Sequence, residues 1–147
     1  MAFQLQVTKN TPLTGEDDYE TVALQFLKQI GYLSTGSDTS SIPYRLFECF
    51  LLHPAKEWQV DEMAVELDAT KATVYRHLNK LKGLDILEEG KTGEGTRQRK
   101  TYRLRYGNLA KAWNFVEAHV KVAMDNYGET VAHLHRLVER RVLDGRD

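Results

Sequence analysis

The sequence predicts a mainly α-helical fold with a small antiparallel sheet, an α+β class, and three observations support this prediction. Apolar residues recur at every third or fourth position over most of the 147 residues, as they do on one face of a helix. Residues 86–89 and 101–105 instead have the composition of two strands, and they flank a loop rich in glycine and arginine. From residue 108 the helical spacing continues to about residue 142, which predicts one long terminal helix.

Residues 1–41 are expected to form a short strand followed by one helix. Residues 3–7 alternate between apolar and polar side chains, which is typical of a strand. Asp17 or Asp18 can cap a helix that extends to about Tyr32, because a carboxylate accepts hydrogen bonds from the free N–H groups of a first turn. The apolar face of this helix comprises Val22, Phe26, Leu27, Ile30 and Leu33.

Residues 42–106 are expected to form a second region that contains three helices and the small sheet. Ser41 can cap the first of these helices, and Pro43 is tolerated in its first turn. Two further helices are predicted over residues 60–67 and 70–84, because each has apolar residues at helical spacing.

A tight turn at residues 68–69 separates the last two helices of this region. Six apolar residues are expected to pack between these helices: Met63, Ala64, Leu67, Val74, Leu78 and Leu81. Residues 58–60 are a candidate third strand of the sheet. Two helices joined by a tight turn and followed by a hairpin form a winged helix-turn-helix, which is therefore the predicted fold of residues 42–106.

The net charge of −1 conceals a strong asymmetry along the chain. Residues 1–69 contain four lysines or arginines and eleven acidic residues, a balance of −7. Residues 70–105 contain ten basic and four acidic residues, a balance of +6, and residues 106–147 contain six of each. Positive charge concentrated on the predicted second helix and hairpin favours binding of a polyanion, namely double-stranded DNA. The alternative is a charged surface that only contacts water.

The helix over residues 70–84 has the side chains that suit a DNA major groove. If Val74 and Leu78 face the core, helical geometry places Arg76 and Asn79 together on the opposite side. Arginine can donate two hydrogen bonds to guanine, and asparagine can bind adenine in the same bidentate way. The predicted DNA-binding residues of this recognition helix are Thr70, Lys71, Thr73, Tyr75, Arg76, Asn79 and Lys80.

The loop over residues 90–100, which we call the wing, is expected to contact the DNA backbone or the minor groove. Gly93 and Gly95 predict a flexible tip, whereas Glu94 between them argues against deep insertion of that tip. The predicted DNA-binding residues of the wing are Lys91, Arg97, Arg99 and Lys100, which are expected at its base.

Residues 107–147 are expected to form a dimerisation helix. A helix of about 35 residues is roughly 50 Å long, which exceeds the width of so small a domain. Its apolar stripe therefore needs a further partner, and a second copy of the chain in a coiled coil is the simplest one. The stripe comprises Trp113, Val116, Val120, Met124, Tyr127, Val131, Leu134 and Val138. Residues 1–41 are expected to pack at the same interface, and Gly128 is a candidate bend or break.

Residues 60–67 and 70–81 together resemble the winged-helix transcriptional regulators of bacteria and archaea, the ArsR, MarR and TrmB-like group. The run of residues 73–78, TVYRHL, is similar to the centre of the recognition helix in ArsR-type members. The resemblance covers residues 42–106 and implies a homodimer that binds a roughly palindromic operator. Asp68 and Asp85 stand where members of the group usually have glycine, which requires a left-handed aspartate at each position.

A metal-responsive repressor of the ArsR type is one alternative function. Thiolate sites need two or three cysteines, and the chain has only Cys49. His119 and His133 are fourteen residues apart and nearly on the same helical face, but about 21 Å apart along the axis. They could share an ion only across an antiparallel partner helix, so we predict no metal site and no cofactor.

The sequence contains no motif that indicates an enzyme: it has no phosphate-binding glycine loop, no metalloprotease helix and no nucleophile elbow. A protein-interaction adaptor built on the same fold remains a second alternative, although it would not need the concentrated positive charge. No apolar run approaches the roughly 18 to 20 residues that span a bilayer, and no secretory signal is visible. We therefore expect a cytoplasmic protein without a membrane partner. The sequence predicts neither the operator nor an effector.

Overall fold

The computed structural model describes residues 4–145, which form a mainly helical fold with one two-stranded sheet and so confirm the predicted α+β class. The helices are α1 (Tyr19–Gln29), α2 (Ile42–Leu52), α3 (Val60–Leu67), α4 (Lys71–Lys82) and α5 (Leu109–Leu143), and the strands are β1 (Leu87–Thr92) and β2 (Arg99–Leu104). The chain divides into two compact units, Met1–Ala112 and Trp113–Asp147.

Helix α1 begins as predicted but is shorter than expected. The Asp18 carboxylate accepts hydrogen bonds from the backbone N–H and the hydroxyl of Thr21, at 3.3 and 2.6 Å. The helix ends at Gln29 and not near Tyr32, because Gly31 adopts a φ of 87° that reverses the chain. The backbone N–H groups of the two residues after Gly31 both turn back to the Leu27 carbonyl.

The strand predicted over residues 3–7 is wrong for residues 4–7, and residue 3 lies outside the described residues. The backbone N–H of Gln4 donates to the Gly83 carbonyl at 2.8 Å, and that of Gln6 donates to the Ile30 carbonyl at 2.9 Å. Both acceptors lie at the ends of helices, so no strand among the described residues lies beside this segment to form a ladder with it.

Helix α2 supplies the centre of the first unit. Its buried residues are Tyr44, Leu46, Phe47, Cys49 and Phe50. Ser41 occupies the N-cap position, but its hydroxyl donates to the Asp38 carbonyl at 2.8 Å and does not cap the first turn. The predicted N-cap position of Ser41 is therefore confirmed, but the prediction that its side chain caps the helix is wrong.

The helix-turn-helix forms between α3 and α4 much as predicted. Five of the six residues assigned to its core are buried, and Ala64 is half-buried. A capping box starts α3, in which the Glu62 carboxylate accepts from the Gln59 N–H at 3.0 Å. Asp68 ends the helix with a φ of 48°, and Asp85 has a φ of 65°, so both aspartates adopt the expected left-handed conformation.

The sheet is a hairpin whose strands extend further into the loop than expected. Strands β1 and β2 pair antiparallel from Leu87 opposite Leu104 to Thr92 opposite Arg99. The third strand predicted over residues 58–60 is reduced to one bridge, in which Trp58 and Tyr102 exchange backbone hydrogen bonds of 2.7 and 2.8 Å. It cannot continue, because α3 already begins at the next residue but one.

Helix α5 is continuous over 35 residues and passes through Gly128 without a break. Asn108 caps its start, with its side-chain oxygen accepting from the Lys111 N–H at 3.0 Å. Several large apolar side chains of the second unit are exposed: Val122, Met124, Tyr127, Val131, Leu134, Leu137, Val138, Val142 and Leu143.

Candidate nucleic-acid interface

Helix α4 has one buried and one exposed side. Thr70 caps its start, because its hydroxyl oxygen accepts from the Thr73 N–H at 3.2 Å. Val74, Leu78 and Leu81 are fully buried, which fixes the rotation of the helix on its core. The exposed side carries Lys71, Ala72, Tyr75, Arg76, Asn79 and Lys80. Thr73 is half-buried and also within hydrogen-bond reach of the Thr70 hydroxyl.

Three exposed residues of α4 come together on its outer side. Asn79 lies four positions after Tyr75 and three after Arg76, so the side chains of all three residues share one patch of the helix. The Tyr75 side chain is 47% exposed despite its size. Within residues 4–145, the Arg76 and Asn79 side chains form no ion pair and no hydrogen bond, so their polar groups stay available to a ligand.

His77 lies on the side of α4 rather than in this patch. It is half-buried, and burial lowers the pKa of its imidazole, with a further lowering from the charges of Arg76 and Lys80. These surroundings therefore favour the neutral form of the imidazole.

Every side chain from Lys91 to Lys100 in the wing is exposed. Gly93 has a φ of 98°, and a Cβ there would lie 2.7 Å from the Arg97 carbonyl oxygen, so the tip requires glycine. Arg97 lies in a short 3₁₀ turn, Gly95–Arg97, at the tip itself and not at the base where it was expected. Within the described chain, Lys91 and Arg97 form no ion pair.

The Asp61 carboxylate joins the start of α4 to the wing. The Asp61 side chain, in the first turn of α3, lies 2.9 Å from the Lys71 ammonium and 2.8 Å from the Arg99 guanidinium. The hydrogen bond from Lys71 is the main cause that lowers the pKa of the Asp61 carboxyl, and Arg99 lowers it further. Two of the predicted DNA-binding residues, Lys71 and Arg99, are therefore already paired within the protein.

Glu89 likewise lies between a lysine of α4 and a lysine of the wing. Its carboxylate pairs closely with Lys82, the last residue of α4, and lies 4.0 Å from the Lys100 ammonium. The hydrogen bond from Lys82 is the main cause that lowers the pKa of Glu89. The two carboxylates together leave Arg76, Lys80, Lys91 and Arg97 as the predicted cations without a carboxylate partner in the described residues.

Sequence reasoning missed the roles of Asp61 and Glu89. Arg99 and Asp61 are 38 residues apart in the chain, and no local pattern joins them. Their only signal in the sequence is negative charge close to a basic segment, which also fits an ordinary solvated surface. Lys80 has a further contact that was not expected, since its ammonium lies 5.8 Å from the centre of the Tyr32 ring.

The histidines of the second unit have ordinary surroundings. The His119 ring contacts that of Phe115, with 4.2 Å between ring centres and 48° between the ring planes, and His135 lies 3.2 Å from the Glu139 carboxylate. Between residues 4 and 145, no three histidines, cysteines or acidic residues converge in a way that could hold a metal ion. His133 is exposed like His119. In the same part of the chain, no helix combines the length and apolar character needed to cross a membrane.

Two solved structures are similar to the chain at low sequence identity. A possible transcriptional regulator from Methanosarcina mazei Go1 is 15% identical, with a TM-score of 0.48, over 84% of this chain and 94% of that chain. A mutant form of ZitR from Lactococcus lactis is 14% identical, with a TM-score of 0.37, over 86% of this chain and 89% of that chain. No protein-family model and no curated protein matches the sequence. At this degree of similarity neither structure carries an argument about function.

Proposed function

We propose that the chain is a transcriptional regulator that binds double-stranded DNA in a sequence-specific way as a homodimer. One observation carries the proposal: Tyr75, Arg76 and Asn79 form an exposed patch, and the Arg76 and Asn79 side chains have no ion pair or hydrogen bond within residues 4–145, while the opposite side of the same helix is buried. A rigid helix with outward bidentate donors matches the width and the hydrogen-bonding groups of a major groove.

The base contacts are assigned to the centre of α4. Arg76 donates to the O6 and N7 atoms of guanine, and Asn79 pairs with the N6 and N7 atoms of adenine. Tyr75 contacts a phosphate or a thymine methyl group. Thr73 and Lys71 lie in the first turn, where the free N–H groups and the helix dipole favour phosphate.

The backbone contacts are assigned to the wing. Arg97 at the tip and Lys91 on the strand leading to it are both exposed, so they can reach phosphates beside the major groove or a narrow minor groove. These contacts fix the position of the domain on the duplex, whereas the contacts from α4 provide the discrimination between bases.

The homodimer is assigned to the apolar stripe of α5 in the second unit. Met124, Tyr127, Val131, Leu134 and Val138 are between 51% and 67% exposed, and they follow one another at alternating steps of three and four. This spacing is the heptad pattern of a coiled coil. Of the other residues predicted for the interface, Trp113 and Val120 are half-buried and Val116 is buried in the single chain, so the stripe is continuous from Met124 onward.

Selection of binding sites from a pool of randomised duplex DNA tests the proposal. The parent protein should enrich a site with approximate two-fold symmetry. Arg76→Ala should then lower the affinity for that site by about 1 to 3 kcal/mol and lose the preference at one base pair in each half-site.

Arg136→Ala is the matched control, because it removes an exposed arginine of α5 that lies away from the apolar stripe. It should bind like the parent protein. A parent protein that enriches no sequence and does not bind duplex DNA at low salt would contradict the proposed function. Equal binding by Arg76→Ala and the parent would instead show that α4 does not provide the base contacts.

A further inference from the structure

We propose that Asp61 is an internal competitor for DNA phosphate, which holds Lys71 and Arg99 in the free protein and lowers the affinity for DNA of any sequence. The inference rests on the proposed DNA binding. Asp61 is thus a positioning residue, because it determines whether Lys71 and Arg99 are available to phosphate.

The geometry gives Asp61 the same two partners that a phosphate would have. Lys71 is the first residue of α4 and Arg99 is the first residue of β2, so the carboxylate joins the start of the recognition helix to the wing. Each of its two oxygens faces one cation, at 2.9 and 2.8 Å. A phosphate group likewise presents separate oxygens to a lysine and an arginine.

The exposure of these side chains allows the exchange. The Lys71 and Arg99 side chains are each 64% exposed, and that of Asp61 is 45% exposed. Ion pairs this open to water are weak, because water and salt screen them. DNA carries a much higher density of negative charge than a single carboxylate, so phosphates can displace Asp61 from both cations.

The competition acts on all sequences alike. Phosphate contacts carry no base information, so the displacement of Asp61 weakens binding to every duplex by a similar factor. The Arg76 and Asn79 side chains have no such competitor among the described residues, and their base contacts keep their full strength. The expected consequence is that less protein is held on DNA that lacks the correct bases.

Asp61→Asn tests the inference with random-sequence duplex DNA as the probe. The substitution keeps the shape of the side chain and removes its charge, so Lys71 and Arg99 become available to phosphate. The affinity at moderate salt should rise about threefold to tenfold, as expected for the loss of two weak ion pairs. Asp61→Glu should keep the parent affinity, and Asp61→Ser is a second neutral variant. Circular dichroism should show unchanged folding of each.

Two comparisons separate competition from a general change in charge. Glu94→Gln removes a negative charge from the wing tip, where the described residues provide no cation partner, and it should raise the affinity less than Asp61→Asn. The effect of Asp61→Asn should also disappear when Lys71 and Arg99 are both replaced by alanine. A general electrostatic effect would persist in that background.

The outcomes distinguish the inference from the proposed function. If the parent protein binds DNA but Asp61→Asn and Asp61→Ser bind no tighter, or if their gain persists without Lys71 and Arg99, the inference is overturned and DNA binding stands. A lower affinity of folded Asp61→Asn also overturns it, because Asp61 would then only hold the interface in shape. If the parent does not bind DNA at low salt, the proposed function fails, and the inference fails with it.

Discussion

Two aspartates adopt the same unusual backbone conformation but differ in what surrounds them. The Asp85 carboxylate lies 2.9 Å from the Arg105 guanidinium, and its carbonyl accepts a further hydrogen bond of 3.2 Å from the same side chain. Asp68 is exposed, and its carboxylate forms no hydrogen bond or ion pair within the described chain. The contacts of Asp85 with Arg105 therefore offset the steric strain of its left-handed conformation. No side-chain contact within the described chain offsets the same strain at Asp68.

Asp68→Gly should accordingly raise the free energy of unfolding by up to about 1 kcal/mol, because glycine adopts positive φ without steric strain. Asp85→Gly should not stabilise the protein, since it removes the carboxylate that binds Arg105. Urea denaturation of the two variants and the parent measures both effects. A more stable Asp85→Gly together with an unchanged Asp68→Gly would contradict this account of the two turns.

The two arginines of the wing differ in their ion pairs. Arg97 lies at the tip without an ion pair in the described residues, whereas Arg99 is already paired with Asp61. Replacement of Arg97 should therefore remove the whole free energy of one phosphate contact. Replacement of Arg99 should remove less, because in the free protein Arg99 already pairs with Asp61 and must leave it to bind phosphate.

Arg97→Ala should weaken binding to specific and random DNA by the same factor and reduce the slope of log affinity against log salt by about 0.9. Arg99→Ala should have the smaller effect on affinity. Titrations at several salt concentrations measure both quantities. A larger loss for Arg99→Ala than for Arg97→Ala would mean that Asp61 does not weaken the contact made by Arg99.

Elements with a strong local signal were predictable, and those that depend on distant partners were not. Helix α3 begins and ends where its apolar spacing and its turn indicate, and Val74 and Leu78 face the core. The segment before α1 has the alternation of a strand but lies against helix ends, so no ladder forms. The Asp61 contacts join three elements, and only the folded chain brings them together.

The apolar stripe of α5 from Met124 to Val138 is exposed, and no other part of the described chain covers it. A soluble protein rarely exposes a continuous row of large apolar side chains unless another surface covers it. The row keeps its heptad spacing from Met124 to Val138 and passes Gly128 without interruption. In the proposed homodimer, a second copy of the helix covers this stripe.

In the proposed dimer, Leu134→Glu would place two charged side chains in the apolar interface instead of two leucines, so the variant should be a monomer. The dimer dissociation constant should rise by at least about a hundredfold. Analytical ultracentrifugation over a range of concentrations measures the change. Ala132→Glu, which places the same side chain on an exposed position of α5 outside the stripe, should remain dimeric. Equal dissociation of both variants would contradict the assigned stripe.

The bridge between Trp58 and Tyr102 also provides an optical reporter. Trp58 is 5% exposed, and the Lys56 ammonium lies 3.9 Å from the centre of its ring. The backbone of Trp58 is hydrogen-bonded to that of Tyr102 in β2, the strand that leads out of the wing. The chain has two tryptophans, so Trp113→Phe would leave Trp58 as the single emitter. Its fluorescence would then record any displacement of the hairpin in real time, without an attached dye.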